Sequence, residues 1–453
     1  MPQFIITALG SYGDVHPMIG LGTALAARGH RVQIITNPYF EDLVAQASLD
    51  FLPIGTREDY IRFTQHPDLW HPIRGPQLVL KHACVELLRP VYRLLSDHMS
   101  PGATVFCAHA LDLASRVAGE KFGVPVASVN FAPSMFWTLN DTSRFKGALL
   151  GPRVPKWLKR LQFWLADEVV SPRLWGNELN RMRAELGMAP ANRIFTHWLH
   201  ATDLVLGLFP DWFGPPQPDW PPNTRAVGFP LWDSPGSVPI FRSVATSSNS
   251  PDRKMGNDPL GGELRAFLAS GSPPIAFSPG SANREAHEFF VAAVDACRRL
   301  GRRGILLTKY ADQLPYRLPD TVRHFGFVPL SKLLPHTAAL VHHGGIGTCA
   351  QGLAAGVPHL VQPMSYDQFD NSRRLVRLGV AKEISRRSFR GPAVAAALSP
   401  LLESPAVAAK CSEFAERCDG PAALAAACDA LEELIVGQDD RGVRRDRIAP
   451  HIL

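Results

Sequence analysis

The sequence lacks a long apolar run, a cysteine framework and a concentrated charge of one sign. No apolar stretch reaches the roughly 18–20 residues that a membrane-spanning helix needs, and the first residues, MPQFIITALG, lack the basic and long apolar regions of a signal peptide. The 7 cysteines are scattered without a C-x-x-C pair, which argues against a disulfide framework and structural zinc. The net charge of +6 is too diffuse for nucleic-acid binding and favours an anionic ligand. We therefore expect a cytoplasmic protein with at most a peripheral contact to the inner face of a membrane.

What the sequence has is apolar mass in an alternating pattern. Of the 453 residues 46% are hydrophobic, enough for the cores of two or three domains. Short apolar runs alternate with helical patterns such as 17–28 and 111–122, which is typical of parallel sheets covered by helices. The predicted strands are QFIITAL, RVQIITN, ATVFCAH and PVASVNF in the first half, and PPIAFSPG, GILLTKY, HFGFVPL, AALVHH and PHLVQP in the second. The fold class is therefore α/β.

A stretch rich in proline, serine and glycine divides the two halves. Residues 209–262 contain FPDWFGPPQPDWPPNT followed by a serine-rich insertion, a composition typical of linkers. We predict an N-terminal domain over 1–208, a linker over 209–262, a C-terminal domain over 263–430 and a tail over 431–453. The predicted architecture is two Rossmann-like parallel-sheet domains that face each other across a cleft.

The most informative stretch is AALVHHGGIGTCAQGLAAGVPHLVQPMSYDQFDNSRRLVRLG, residues 338–379. A buried strand is predicted to end at His342–His343, and a glycine loop then leads into a helix near Thr348. Glycines let a ligand approach the backbone, and the amides and dipole of a helix N-terminus attract phosphate. The loop after the next strand carries Asp367 and Gln368, whose carboxylate and amide suit the hydroxyls of a sugar. Ligands of open α/β sheets bind at this carboxyl edge.

The pattern H-G-G-x-G-T, then G-V-P, then D-Q-x-x-N resembles the signature of glycosyltransferase family 1, whose members have the GT-B fold. The resemblance implies that the histidine, glycines and threonine hold the diphosphate of a nucleotide sugar and that the D-Q pair holds its sugar. In this chain the matching residues are His343, Gly344, Gly345, Gly347, Thr348, Asp367 and Gln368. The resemblance covers nearly the whole chain, and DLWHP, PVYRLL, RIFTHWLH and LFPDWFGPPQPDWP are similar to the rhamnosyltransferases of rhamnolipid synthesis.

Two further segments resemble donor-binding parts of the family. In FSPGSAN, Gly280 and Ser281 match the loop that contacts the diphosphate from the other side, and in GFVPLSKLLP the backbone of Phe327 and Val328 matches the segment that packs the nucleobase. The tryptophan that plant members carry there is absent, which leaves the base open between uracil and thymine. The resemblance implies a UDP- or dTDP-sugar as co-substrate, with the nucleotide sugar bound by the domain over 263–430 and the acceptor by the domain over 1–208. Because helix-terminal amides can stabilise the departing charge, we expect no metal and no cofactor. No D-x-D motif or His/Cys cluster with ligand spacing is present in the sequence.

The loop after the first strand, GSYGDVHPMIG, carries the candidate base for the acceptor hydroxyl. Many family members read G-H-x-x-P here, whereas in this chain Asp14 takes the position of the histidine and His16 falls two residues later. Bacterial antibiotic and sterol relatives with G-D-x-x-P favour Asp14. His109 ends a neighbouring predicted strand, where the histidine enzymes often keep an aspartate, so we predict a swapped dyad of Asp14 and His109. The alternative is that Asp14 only caps the helix predicted to start at Pro17.

These residues predict an inverting, metal-independent transferase that moves a hexosyl unit to a hydroxyl of a hydrophobic acceptor such as a lipid, sterol or polyketide. The candidate acceptor contacts are His16, Phe131 and Trp137. The segment PKWLKRLQFWL, residues 155–165, is expected to rest on an anionic membrane, to cover an apolar acceptor pocket or to pack as an ordinary helix. Alternatives for the function are a nucleotide-sugar 2-epimerase of the same fold, a non-catalytic sugar-nucleotide-binding subunit and, more weakly, a nicotinamide dehydrogenase, for which G-S-Y-G-D-V lacks the G-x-G-x-x-G spacing.

Overall fold

The computed structural model describes residues 1–71, 73–145, 151, 154–235 and 261–436. These residues form two compact units, each built on one sheet. The first unit comprises Met1–Pro230, the short segment Ser365–Asp370 and the chain from Ala422; the second comprises the described parts of Leu231–Met364 and Asn371–Pro421.

The first unit contains a seven-stranded sheet in which every pairing is parallel. Its strands are β1 Gln3–Thr7, β2 Arg31–Thr36, β3 Asp50–Pro53, β4 Thr104–His109, β5 Val126–Asn130, β6 Leu204–Gly207 and β7 Thr224–Ala226. The order across the sheet is β3-β2-β1-β4-β5-β6-β7. Every residue of β1, β4 and β5 is buried, as expected for strands that have helices on both faces.

The second unit repeats this arrangement in a six-stranded parallel sheet. Its strands are β8 Ile275–Ser278, β9 Gly304–Leu307, β10 Val322–Phe325, β11 Ala339–His342, β12 His359–Val361 and β13 Ala381–Glu383. The order is β10-β9-β8-β11-β12-β13. Both sheets therefore have the doubly wound order of dinucleotide-binding folds, and the prediction of two Rossmann-like GT-B halves is confirmed.

The helices between the strands supply the layers on the faces of the sheets. They are α1 Tyr12–Ala27, α2 Glu41–Gln46, α3 Arg57–Thr64, α4 Arg74–Lys81, α5 Leu88–His98, α6 Leu113–Phe122, α7 Lys156–Leu165, α8 Asn177–Glu185, α9 Gly261–Ala269, α10 His287–Leu300, α11 Leu330–Leu333, α12 Ile346–Ala354, α13 Gln368–Leu378, α14 Gly391–Glu403, α15 Pro405–Glu416 and α16 Gly420–Val436. The C-terminal helix α16 belongs to the first unit, where Arg28 pairs with Asp429 and Glu432 of that helix.

The structure corrects the start of the first helix. The sequence predicts a start at Pro17, but α1 begins at Tyr12 because Ser11 and Asp14 form a capping box, and Pro17 lies inside the helix. The prediction was wrong because Pro17 was interpreted as a first-turn proline, and the Ser-x-x-Asp spacing that begins at Ser11 was not used.

The region predicted as a linker also differs in part. Residues 224–226 form β7, which pairs with β6 at the edge of the first sheet. A strand of three residues without an apolar run leaves no periodic signal in the sequence. The serine-rich insertion over 236–260 and the tail over 437–453 lie outside the described residues.

Within the described residues no single helix has the length and apolar composition to cross a membrane. One bent pair, Gly391–Glu403 with Pro405–Glu416, meets those criteria only when its two helices are counted together.

Candidate active site

The candidate residues gather at the point in each sheet where the strand order reverses. In the first sheet this point lies between β1 and β4, whose carboxyl ends lead to Asp14 and His109. In the second sheet it lies between β8 and β11, whose carboxyl ends lead to Gly280 and His343. Crevices at such reversals are where open α/β sheets bind their ligands.

Asp14 uses its two carboxylate oxygens for different contacts. Oδ2 accepts hydrogen bonds from the backbone N–H and the hydroxyl of Ser11, at 2.7 and 3.2 Å, and so completes the cap of α1. Oδ1 instead lies 3.4 Å from Nε2 of His109. Asp14 therefore does cap α1, but the cap uses only Oδ2. Oδ1 faces His109 at the end of β4.

Gly10 makes the room that this arrangement requires. Its φ is +131°, and a Cβ there would lie 2.3 Å from Oδ2 of Asp14. An L-residue would therefore meet both backbone strain and a direct clash. No role for Gly10 or Ser11 was predicted from the sequence, although it contains the S-x-x-D spacing of a capping box.

The hydrogen bonds of His109 fix which of its nitrogens carries the proton. The backbone N–H of Leu111 donates to Nδ1 at 3.2 Å, which leaves the proton of the neutral ring on Nε2. Nε2–H is therefore the donor that faces Oδ1 of Asp14. The 3.4 Å between Nε2 and Oδ1 is longer than an ordinary hydrogen bond. The side chain of His109 is only 5% exposed, whereas that of Asp14 is 32% exposed. Asp14 is the member of the pair that a substrate can reach.

A buried polar network anchors the backbone beside His109. Its N–H donates to the hydroxyl of Thr7 at 2.9 Å, and that hydroxyl donates to Asp112 at 2.8 Å. Asp112 in turn caps α6 by accepting from the N–H of Ser115. The ends of β1 and β4 are therefore tied together directly below the pair.

The segment Ser365–Asp370, which contains the D-Q pair, packs within the first unit. The hydroxyl of Tyr366 donates to the carbonyl of Leu69 at 2.5 Å, and Asp370 accepts from the N–H of Arg144 at 3.0 Å. Burial, together with the carboxylate of Asp14, raises the pKa of Tyr366 above its ordinary value. The charge of Asp14 thus affects the ionisation of Tyr366, for which no role was predicted from the sequence.

Asp367 and Gln368, the predicted sugar contacts, differ in exposure. Asp367 is partly exposed, whereas Gln368 is buried and its side-chain oxygen accepts from the N–H of Ser365 at 3.1 Å. Gln368 therefore closes its own loop at the first residue of α13. The predicted contact of both residues with a sugar stays a prediction.

The predicted phosphate loop is a helix N-terminus without a side-chain cap. Gly345 is the N-cap of α12 and has no side chain to accept from the first-turn amides, and Gly347 and Thr348 are in that turn. Gly347 is exposed, and a Cβ there would meet no atom within 4 Å. The N–H groups and dipole of this turn are the features that bind phosphate at helix N-termini.

The imidazole of His343 is enclosed by glycines from two loops. A Cβ at Gly280 would lie 3.0 Å from its Nε2, and one at Gly345 would lie 2.6 Å from the same atom. Gly280 and Gly344 also have positive φ, of +99° and +93°. Burial lowers the pKa of His343 to about 4, so that the ring is neutral near pH 7. The structure therefore brings Gly280, His343 and the glycine loop together within the second unit.

The remaining donor candidates of this unit differ in exposure. Ser281 follows Gly280 and is exposed, and the side chain of Phe327 is exposed while Val328 is buried. The backbone of Phe327–Val328 lies between β10 and α11, close in sequence to the end of a strand.

The acceptor candidates are placed differently from one another. The ring of Phe131 lies 5.3 Å from that of His109, so it borders the Asp14 pair. Trp137 packs instead against Phe163 and Phe195, each with centroids at 4.9 Å. His16 lies in α1 against the edge of Tyr12, and burial lowers its pKa to about 4.

Helix α7 exposes apolar side chains and buries a cation. Trp157 is 66% exposed and Trp164 56%, with Leu161 and Leu165 exposed between and beside them. Lys159 is buried and donates to the carbonyl of Leu139 at 3.2 Å. The role of this segment among the three that the sequence leaves open stays a prediction.

In the part of the chain that the structure describes, no group of three or more His, Cys, Asp or Glu side chains is placed to hold a metal ion.

Comparison with known proteins agrees with the fold. Residues 4–134 match the N-terminal domain of glycosyltransferase family 28, and residues 304–433 match the C-terminal domain of the erythromycin biosynthesis protein CIII-like family. The O-mycaminosyltylonolide 6-deoxyallosyltransferase of Streptomyces fradiae is 29% identical over 449 residues, which cover 95% of this chain and 97% of that protein.

Solved structures share the fold along the whole chain. The glycosyltransferase of kitacinnamycin has a TM-score of 0.69 at 20% identity, covering 96% of this chain and 100% of that one. The spinosyn rhamnosyltransferase SpnG, complexed with thymidine diphosphate, has a TM-score of 0.63 at 17% identity, covering 95% and 100%. The similarity to rhamnosyltransferases that the sequence suggests is therefore loose.

Proposed function

Since the chain belongs to the family 1 glycosyltransferases of the GT-B fold, we propose that it transfers a hexosyl unit from a nucleoside diphosphate sugar to a hydroxyl of a hydrophobic natural product, with inversion at the anomeric carbon. The observation that carries the proposal is the contact between Asp14 and His109 at the strand-order reversal of the first sheet. It provides a carboxylate that substrate can reach and that a buried imidazole orients.

In this reaction the acceptor oxygen forms a bond to the anomeric carbon while the bond from that carbon to the diphosphate oxygen breaks. The hydroxyl proton passes to the carboxylate of Asp14, which serves as the general base. His109 keeps its proton on Nε2, because Leu111 occupies Nδ1, and acts as a positioning residue that holds Oδ1 of Asp14 in place.

The departing nucleoside diphosphate carries the charge that the bond cleavage releases. The uncapped amides of α12, the hydroxyl of Thr348 and the neutral imidazole of His343 are the groups that would stabilise it. Such preorganised donors are sufficient to bind phosphate at a helix N-terminus. We therefore propose that the reaction proceeds without a metal ion and without a cofactor.

The comparisons support a choice of substrates. SpnG was crystallised with thymidine diphosphate, and the 6-deoxyallosyl- and rhamnosyltransferases both transfer 6-deoxyhexoses, as their names state. The relatives act on natural products such as tylonolide and spinosyn derivatives, as their names also state. We propose a dTDP-6-deoxyhexose as the first donor to test and a polyketide-like acceptor.

The donor is tested by thermal unfolding with a panel of UDP- and dTDP-sugars, since a ligand that binds the folded state raises the melting temperature. We expect a dTDP-sugar to give the largest rise and 1 mM EDTA to leave turnover with the matching acceptor unchanged. A panel without any shift would overturn the proposal.

The base is tested with Asp14→Asn. We expect kcat to fall by about 10²–10⁴-fold, while the Kd of the donor stays unchanged because the carboxylate is not in the phosphate loop. Proton NMR of the product reports the anomeric configuration. Retained configuration, or conversion of the donor sugar in the absence of acceptor, would contradict an inverting transferase, and full turnover by Asp14→Asn would remove Asp14 from the mechanism.

A further inference from the structure

Two buried histidines lie beneath the phosphate loop, and neither is among the motif residues. His342 ends β11 and His359 begins β12, and neither side chain is exposed to solvent. The strands pair Leu340 with His359, so the two imidazoles are diagonal neighbours on the same face of the sheet. Burying imidazoles costs free energy that apolar side chains at these positions would not.

The two rings continue a chain of hydrogen bonds that starts at the loop, with Gly344 as its first donor. The N–H of Gly344 donates to Nδ1 of His342 at 3.1 Å, which leaves the proton of His342 on Nε2. Nε2 in turn lies 3.0 Å from Nδ1 of His359 and donates to it. Burial, with His359 and His343 nearby, lowers the pKa of His342, and burial lowers that of His359 to about 3. Both rings are neutral near pH 7, as this chain of donors and acceptors requires.

Gly344 is consequently held at both ends of its backbone. His342 accepts from its N–H, and the side-chain amide of Asn371 donates to its carbonyl at 3.0 Å. Its φ of +93° is open to glycine and to few other residues. These contacts fix the peptide that connects His343 to the first turn of α12.

His359 also contacts the helix that carries the phosphate amides. A Cβ at Gly352, inside α12, would lie 2.3 Å from Cε1 of His359. Glycine in a helix interior is less favourable than alanine, and here it allows α12 to lie directly on the imidazole. One side chain thus supports the helix directly and the loop through His342.

We propose that His342 and His359 are positioning residues for the diphosphate site: they hold the Gly344 peptide and α12 in the geometry that binds the donor. The inference rests on the proposed function, because it assigns the ligand of this loop to a nucleoside diphosphate. Neither residue needs to touch the donor, since His342 acts through Gly344 and His359 through His342.

The test compares two substitutions of His359 with a matched control. His359→Asn retains an acceptor oxygen near the position of Nδ1, whereas His359→Leu removes it. Leu360→Ala creates a cavity on the opposite face of the same strand, among the core residues that pack with Val341, and leaves the two histidines in place. Binding of thymidine diphosphate is measured by calorimetry, and stability by thermal unfolding.

We expect His359→Leu to raise the Kd of thymidine diphosphate about tenfold, the loss of roughly one hydrogen bond, and His359→Asn to restore most of the affinity. Leu360→Ala should lower the melting temperature and leave the Kd unchanged. Equal Kd values for His359→Leu and the wild type would overturn the proposal, as would a Kd for Leu360→Ala raised as much as that for His359→Leu.

A second measurement does not depend on the donor. Amide exchange of Gly344, followed by NMR, should be slow in the wild type. It should be faster in the double variant that carries both His342→Leu and His359→Asn than in the control variant Leu360→Ala. If the wild type binds no nucleoside diphosphate but this exchange pattern holds, the proposed function fails and the hydrogen-bonded support of the loop stands. If the donor binds and Gly344 exchanges equally in all variants, the positioning role fails.

Discussion

The imidazole of His343 lies so close to Gly345 that a Cβ on this glycine would come within 2.6 Å of Nε2. The backbone of Gly345 has φ −61° and ψ 138°, which any residue can adopt. Glycine is therefore needed at this position for space and not for backbone conformation, and the space is what allows His343 to lie against the N-terminus of α12.

Substitution Gly345→Ala should therefore displace His343 and weaken donor binding without unfolding the domain. We expect the Kd of thymidine diphosphate to rise at least about tenfold, since misplacing a binding group by an ångström is costly. Gly262→Ala is the matched control, because a Cβ there would meet no atom within 4 Å. Calorimetry on both variants decides the matter, and an unchanged Kd for Gly345→Ala would show that His343 is not required at its position.

Substitutions of His109 test whether this residue orients the general base, Asp14. His109→Ala removes the donor that faces Oδ1 of Asp14, and we expect kcat to fall about 10–100-fold with the donor Kd unchanged. His109→Gln places an amide N–H near the position of Nε2 and should recover part of the rate. Steady-state kinetics with saturating donor is the measurement. Wild-type kcat in His109→Ala would dismiss the pair.

Stability should decline on mild acidification because several histidines are buried in neutral form. Burial lowers the pKa of His16 and His343 to about 4 and that of His359 to about 3, whereas an unfolded histidine has a pKa near 6.5. Between pH 6.5 and about 4 the unfolded chain binds protons that the folded chain excludes. The free energy of unfolding should then fall by about 1.4 kcal/mol per pH unit for each excluded proton.

Urea unfolding at pH 7.0, 6.0 and 5.0 measures this slope. His359→Asn removes one titrating group and should reduce the slope relative to the wild type, whereas Leu360→Ala should lower stability equally at each pH. A wild-type stability independent of pH across this range would contradict the neutral state of these rings.

The exposed face of α7 is the basis for a test of membrane contact. Trp157 and Trp164 are flanked by Lys156 and Arg160, a combination that favours anionic lipid surfaces. We expect the protein to sediment with vesicles that contain phosphatidylglycerol, and the double substitution Trp157→Ala and Trp164→Ala to abolish this. Tyr316→Ala removes an aromatic side chain that is 96% exposed in the other unit and serves as the control. A wild-type protein that stays in the supernatant would exclude the contact.

Much of the fold was predictable because it is encoded locally. Buried strands such as β1 and β4 are apolar runs, and the loop of Gly344 and Gly345 before α12 combines glycine with a helix start. The short strands β3, β6, β7 and β13 were missed, since three or four residues at the edge of a sheet or next to it carry too little pattern. The start of α1 was missed although its capping box is a local signal, because Pro17 suggested a later start.

The sequence by itself determined the two α/β halves, the glycine loops and the residues that match the family, since each depends on neighbours a few positions apart. Only the tertiary structure decided that Oδ1 of Asp14 faces Nε2–H of His109, and that His359 supports Gly344 through His342. The contact of Asp14 with His109 joins residues 95 positions apart, and that of His342 with His359 joins two neighbouring strands. Both depend on which strands lie side by side and on which ring nitrogen carries the proton. Strand order and hydrogen-bond direction arise from packing, and no local pattern of residues specifies them.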